Sequence, residues 1–174
     1  PDGNEVALDT LTVRVTEYTV GDAGPDAMPA RLPPYTHYNY CAELSVDRLL
    51  YVCDRPSNRI SVFQTDGTFV KEVIIAPATL SQGSTWDIDF SHDPEQRFIY
   101  LADGQNMKVY IIERETMDVL TAFGDGGRQP GMFFAVHSIA VDSMGNIYTT
   151  ETYEGSRLQR FMFKGYAPVP ADAM

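Results

Sequence analysis

Three carboxylates recur in one setting. Asp54, Asp103 and Glu151 each close a segment that opens on tyrosine: Tyr51-Val52-Cys53-Asp54, Tyr100-Leu101-Ala102-Asp103 and Tyr148-Thr149-Thr150-Glu151. A ring of repeated carboxylates suits calcium or a donor-rich substrate. A carboxylate at a turn can equally accept backbone N–H bonds, which is a structural use. Arg59, Lys108 and Arg157 follow a few residues later and can pair with them, contributing roughly 0–1 kcal/mol each at a surface. The histidines are His37, His92 and His137. A catalytic zinc takes about three protein ligands and an open position, and no Cys-x-x-Cys pair is present to supply thiolates. Cys41 and Cys53 read as buried free thiols; a disulfide would need their Cβ atoms to meet across a hairpin. Gly124-Asp125-Gly126-Gly127 is followed by no Gly-Lys-Ser/Thr and reads as a connector rather than a phosphate loop. No Gly-x-Ser-x-Gly nucleophile elbow occurs. Met107, Met117, Met132, Met144 and Met162 are spread through the chain as gap-fillers.

The elements that position these residues repeat. The three tyrosines stand 49 (51 to 100) and 48 (100 to 148) residues apart. Before each lies an alternating apolar segment: Ala42-x-Leu44-x-Val46, Ile88-x-Phe90 and Ile139-x-Val141. After each comes a basic residue and another such segment: Arg59 to Phe63, Lys108 to Ile112 and Arg157 to Phe161. Period-two alternation bounded by turn residues such as Asp66-Gly67 and Gly145-Asn146 predicts strands. A fourth strand is predicted over Phe69–Ile75 and over Asp118–Phe123. Each unit is thus a four-stranded antiparallel meander of about 48 residues, the size of a β-propeller blade. The units are expected at 40–75, 86–123 and, incomplete, 137–163, because Pro168 and Pro170 deny ladder donors to a last strand. Residues 11–20 (LTVRVTEYTV) form an extra N-terminal strand, predicted to serve as a missing outer strand. Residues 21–39 read as loop.

Composition bounds the rest. The 174 residues include 24 Asp plus Glu against 13 Lys plus Arg, a formal charge of −11. Such an acidic chain repels a phosphate backbone, so nucleic acid is not an expected partner. No apolar run approaches the roughly 20 residues of a membrane helix. The chain begins Pro1-Asp2-Gly3 without Met or a signal-like segment, and reads as processed or as a piece of something longer.

Phe123-Gly124-Asp125-Gly126-Gly127-Arg128-Gln129-Pro130-Gly131-Met132-Phe133, followed by Val136-His137-Ser138-Ile139-Ala140-Val141-Asp142-Ser143-Met144-Gly145-Asn146-Ile147-Tyr148, resembles an NHL repeat. The likeness covers 123–163 closely, 42–75 fairly well, and 86–123 with an insertion over His92–Arg97. It implies a bacterial propeller of usually six blades, or roughly 290 residues at this repeat length; the present chain holds about 3.6 units. A distant resemblance to peptidyl-α-hydroxyglycine amidating lyases, which carry zinc on histidines before innermost strands, implies that His137 faces the channel mouth. Tyr40 and Trp86 occupy the corresponding positions and cannot complete a three-histidine site, so His137 would hold metal only with ligands from elsewhere.

The expected fold is therefore all-β: a partial β-propeller of about three four-stranded antiparallel blades plus an N-terminal strand. Its open blade faces call for a second copy, as a dimer completing the propeller, or for the remainder of a longer chain. The expected function is a non-catalytic binding or interaction module. Tyr40, Trp86 and His137 form an aromatic ligand-binding rim at the channel mouth, and Asp54, Asp103 and Glu151 a possible carboxylate ring. No cofactor is assigned, zinc and calcium remaining open. The alternative is a metal-dependent extracytoplasmic propeller enzyme, similar to the amidating lyases or to lactonase-like hydrolases. The compartment is left open, with periplasmic or secreted placement favoured.

Overall fold

The computed structural model describes residues 39–168. Within these described residues eleven strands form three antiparallel sheets. The first holds β1 (Asn39–Leu44), β2 (Leu49–Asp54), β3 (Arg59–Gln64) and β4 (Phe69–Ile74), in that order. The second holds β5 (Asp87–Phe90), β6 (Phe98–Asp103), β7 (Lys108–Glu113) and β8 (Val119–Phe123). The third is a meander of three, β9 (Val136–Val141), β10 (Ile147–Glu151) and β11 (Leu158–Phe161). The first strands of successive sheets neighbour one another, β5 lying between β1 and β9. This is a partial β-propeller whose inner strands face a common axis. The expected strand at 11–20 lies outside the described residues. β1 starts at Asn39, earlier than the alternation from Ala42 suggests, because pairing with β2 continues through a bulge to Asn39 opposite Asp54.

Two apolar layers hold the blades together. Tyr51, Ile60 and Val62 of the first blade pack on Ile88, Phe90, Ile99, Leu101 and Ile112 of the second. Tyr51 meets Phe90 edge-on, with centroids 5.0 Å apart. Tyr100, Ala102 and Val109 of the second blade pack on Phe133, Val136, Ile139 and Ile147 of the third. The sequence of β6, Phe-Ile-Tyr-Leu-Ala-Asp, explains why the middle blade can serve both layers. Its odd and even residues enter opposite cores, so a continuous apolar run replaces alternation. Strand β10 alternates, burying Ile147 and Thr149 while Thr150 is exposed. The Tyr148 hydroxyl instead donates to Asp142 at 3.0 Å. That carboxylate also accepts the Met144 and Asn146 amides, each at 2.9 Å, and so closes the β9–β10 turn. These bonds, led by the Asn146 side chain, lower the Asp142 carboxyl to about 2.

The cysteines depart from the free-thiol reading. Cys41 and Cys53 stand directly opposite each other in the β1–β2 ladder, with Cα atoms 5.0 Å apart, and form a disulfide. Alternation alone did not fix the register that brings them face to face. A bridge spanning a sequence separation of 12 residues constrains the unfolded chain by about 3 kcal/mol. Replacing both by serine is expected to lower the melting temperature by roughly 6–12 °C in calorimetry; an unchanged transition would show that the bridge does not form.

Candidate functional site

The inner strands carry a chemistry that the sequence reading left unnamed. Innermost strands have one ladder edge without a neighbour, so their backbone donors need other acceptors. In the third blade these come from the second: Asp87 Oδ2 accepts the Ile139 amide at 3.0 Å and Asp89 Oδ2 the Val141 amide at 2.6 Å. Alternation along Asp87-Ile88-Asp89-Phe90 makes this possible. The isoleucine and phenylalanine enter the core while both carboxylates point the other way, half-buried. Burial raises the Asp87 carboxyl, opposed by the amide bonds and by the charge of His137. Asp89 is raised by burial in the same way, opposed by its amide bonds and by His92. Glu43 on β1 is raised by burial and then by the charges of Asp89 and Asp87. Glu43 thus senses both aspartates from the neighbouring strand, and Asp87 senses Asp89. The signal was present as polar residues alternating within two inner strands, but strand periodicity names only the apolar half.

Of the residues expected at the rim, His137 and Trp86 are in contact. His137 is exposed, and its Nδ1 sits 3.2 Å from the Ser138 hydroxyl. Its ring meets Trp86 edge-on at 5.5 Å and 87°. Trp86 is buried, only 4% exposed. Its indole N–H donates to the Gly83 carbonyl at 2.7 Å, and the Arg55 guanidinium lies 3.5 Å over the ring. Trp86 is therefore a wedge under an arginine, and it offers a ligand almost no open face. The wedge needs glycine on either side. A Cβ at Gly104 would stand 2.7 Å from the indole and from the Val136 carbonyl, and one at Gly83 1.7 Å from the Arg55 carbonyl. Arg55 belongs to a single 3₁₀ turn, Arg55–Ser57, after β2, and also donates from Nε to the Gln82 carbonyl at 2.8 Å. No sequence pattern marked it. Tyr40 lies in β1, and its side chain is outside the described part. His37 falls outside the described residues, and His92 is exposed between β5 and β6.

The repeated carboxylates are each engaged within their own surroundings. Asp54 is fully buried and ion-paired to Arg59, which also reaches Glu72 at 3.2 Å. Glu151 pairs with Arg157 at 2.7 Å through one oxygen and accepts the Phe134 amide at 2.8 Å through the other. Both pairs are more buried than the surface pairs expected from sequence, so removing one partner costs on the order of 3–5 kcal/mol rather than under 1. Asp103 takes no lysine. It accepts the Asn106 amide at 2.9 Å and the Asn106 side-chain N–H at 2.6 Å. Among the described residues no three His, Cys, Asp or Glu side chains come together as a metal site.

No protein-family model and no curated protein matches the chain. Solved structures do. One is a catalytically inactive virginiamycin B lyase from Staphylococcus aureus with quinupristin, at 16% identity and a TM-score of 0.54, covering 82% of this chain and 46% of that one. Another is a putative 6-phosphogluconolactonase from Bacteroides uniformis, at 14% identity and a TM-score of 0.55, covering 79% of this chain and 39% of that one. This chain thus spans less than half the length of either structure. At such identities the likeness shows the fold alone, a β-propeller.

Burial, opposed by the Asn106 bonds, pushes Asp103 up to about 6. A carboxyl raised on folding favours the folded state fully below its unfolded value near 3.8 and loses that contribution as pH rises through 6. Asp103→Asn is therefore expected to be more stable than the parent at pH 8, by up to about 3 kcal/mol, with the gap closing below about pH 4. Urea titrations across that range measure it. A gap independent of pH would contradict the assignment.

Proposed function

We propose that this chain is part of an NHL-type β-propeller and acts as a binding module without chemistry of its own, taking a small polar ligand at the mouth of its axis. The NHL assignment is supported by the run of motif residues over 123–163. The binding reading is supported by one observation: Glu43 on β1 and Asp87 and Asp89 on β5 stand on neighbouring strands, within reach of the charge of the exposed His137 at Asp87, and burial raises each carboxyl. Grouped, half-buried carboxyl groups offer several hydrogen-bonding oxygens in one place, which suits hydroxyl- and amine-bearing molecules. Trp86 supports His137 from below rather than stacking on the ligand. The Cys41–Cys53 bridge favours an oxidising, extracytoplasmic compartment. The remaining blades come from a second copy, or from the rest of a longer chain.

A metal-dependent propeller enzyme is the second reading. It is favoured by the exposure of His137 at the mouth and by the propeller likeness to a lyase and a putative lactonase. Further ligands would then have to come from the added blades.

One set of measurements separates these readings. The purified protein is weighed by light scattering, assayed for bound metal, and titrated with glucosamine while amide shifts are followed. Twice the chain mass of 19.4 kDa supports closure by a second copy. Saturable shifts centred on His137, Ile139 and Val141 support binding at the axis. Stoichiometric zinc lost on His137→Ala, or shifts confined to other regions, would overturn the binding reading.

A further inference from the structure

The second blade has four strands and the third has three. Strand β8 turns Thr121 and Phe123 towards the third blade, on the same face as Val109 and Ile111. A fourth strand beyond β11 would cover them, and among the described residues there is none. The chain after Phe161 crosses the gap instead. Phe163 meets Tyr166 edge-on with centroids 5.1 Å apart, and Tyr166 reaches Phe98 at the start of β6 at 5.2 Å. Beneath this strap remains a cavity of about 500 Å³. Ile111 and Thr121 form one wall, Ile147 and Phe161 the other, and Phe163 and Tyr166 the roof.

The charges at this cavity run against the rest of the molecule. The chain carries −11, yet the only charged residues of the lining are Arg97 and Lys164. Neither is in an ion pair among the described residues. Arg97 holds its guanidinium over the Phe98 ring at 5.1 Å and 6.0 Å from that of Tyr166, beside the entrance. Asp93 meets the Tyr166 hydroxyl at 3.5 Å, and its oxygens already accept the Ser91 hydroxyl and the Arg97 amide. An apolar hollow of this size, with two cations outside any ion pair among the described residues and no carboxylate in its lining, matches a small hydrophobic anion. We propose that the hollow between the second and third blades binds an alkyl or aryl carboxylate, its apolar body between β8 and β11 and its charge at Arg97 and Lys164. The site is separate from the axis and does not depend on the reading given for it.

The test uses the full chain and three probes of equal length, all below their micelle thresholds: dodecanoate, dodecanol and dodecylamine. Calorimetric titration is expected to show one saturable dodecanoate site per chain, with dodecylamine at least tenfold weaker. The double variant Arg97→Gln, Lys164→Gln is expected to lose about tenfold in dodecanoate affinity while binding dodecanol as before. Thr121→Phe, which fills the hollow from a strand position, is expected to abolish binding of both dodecanoate and dodecanol, with circular dichroism confirming the fold. Equal affinity for the anion and the amine, binding indifferent to Thr121→Phe, or no saturable site at all would overturn the proposal; the last would leave the hollow to a peptide strand.

Discussion

A propeller blade has two broad faces, and both must be covered. That constraint orders this molecule. In the middle blade it is met on both sides: Ile99 and Leu101 enter one core, Tyr100 and Ala102 the other, and all four are essentially out of solvent. Among the described residues the flanking blades meet it on one side. Leu44 and Val46 of the first and Leu158 of the third remain more than half exposed. At about 25 cal/mol per Å² of apolar surface removed from water, the two interblade layers are the main source of cohesion. The outward faces are where further blades would add to it.

The same radial arrangement creates the candidate site. Inner strands placed side by side around an axis leave ladder edges unpaired, and those edges demand acceptors. Asp87 and Asp89 meet the demand for β9, and in doing so become partly desolvated carboxylates facing the axis. The side chains that complete the β9 edge are therefore also the carboxylates of the candidate site. Beside this row the Arg55 guanidinium covers the Trp86 ring, which in turn meets the exposed imidazole of His137 edge-on.

Much of the fold was legible because blade architecture is written in local pattern. The tyrosine interval, the alternation around it and the turn residues located every strand of the described region to within a few residues. What was not legible depends on register and on neighbouring blades. Whether Cys41 meets Cys53 is decided by a pairing that alternation leaves free. Whether Asp54–Arg59 is a surface or a buried pair depends on what covers the sheet. Trp86 looked like an open rim residue because nothing local reveals that Arg55, thirty-one positions earlier, closes over its face. The axial carboxylates were overlooked for a related reason: their bonds run to a blade some fifty residues away.

Amide hydrogen exchange at Ile139 and Val141 tests the interblade arrangement most directly. The two amides donate to the side chains of Asp87 and Asp89 on the neighbouring blade. The account predicts slow exchange at both in the folded chain, with selective loss of protection at Ile139 in Asp87→Ala and at Val141 in Asp89→Ala. Exchange at the rate of open amides in the parent protein would mean that the second and third sheets do not meet at their inner strands.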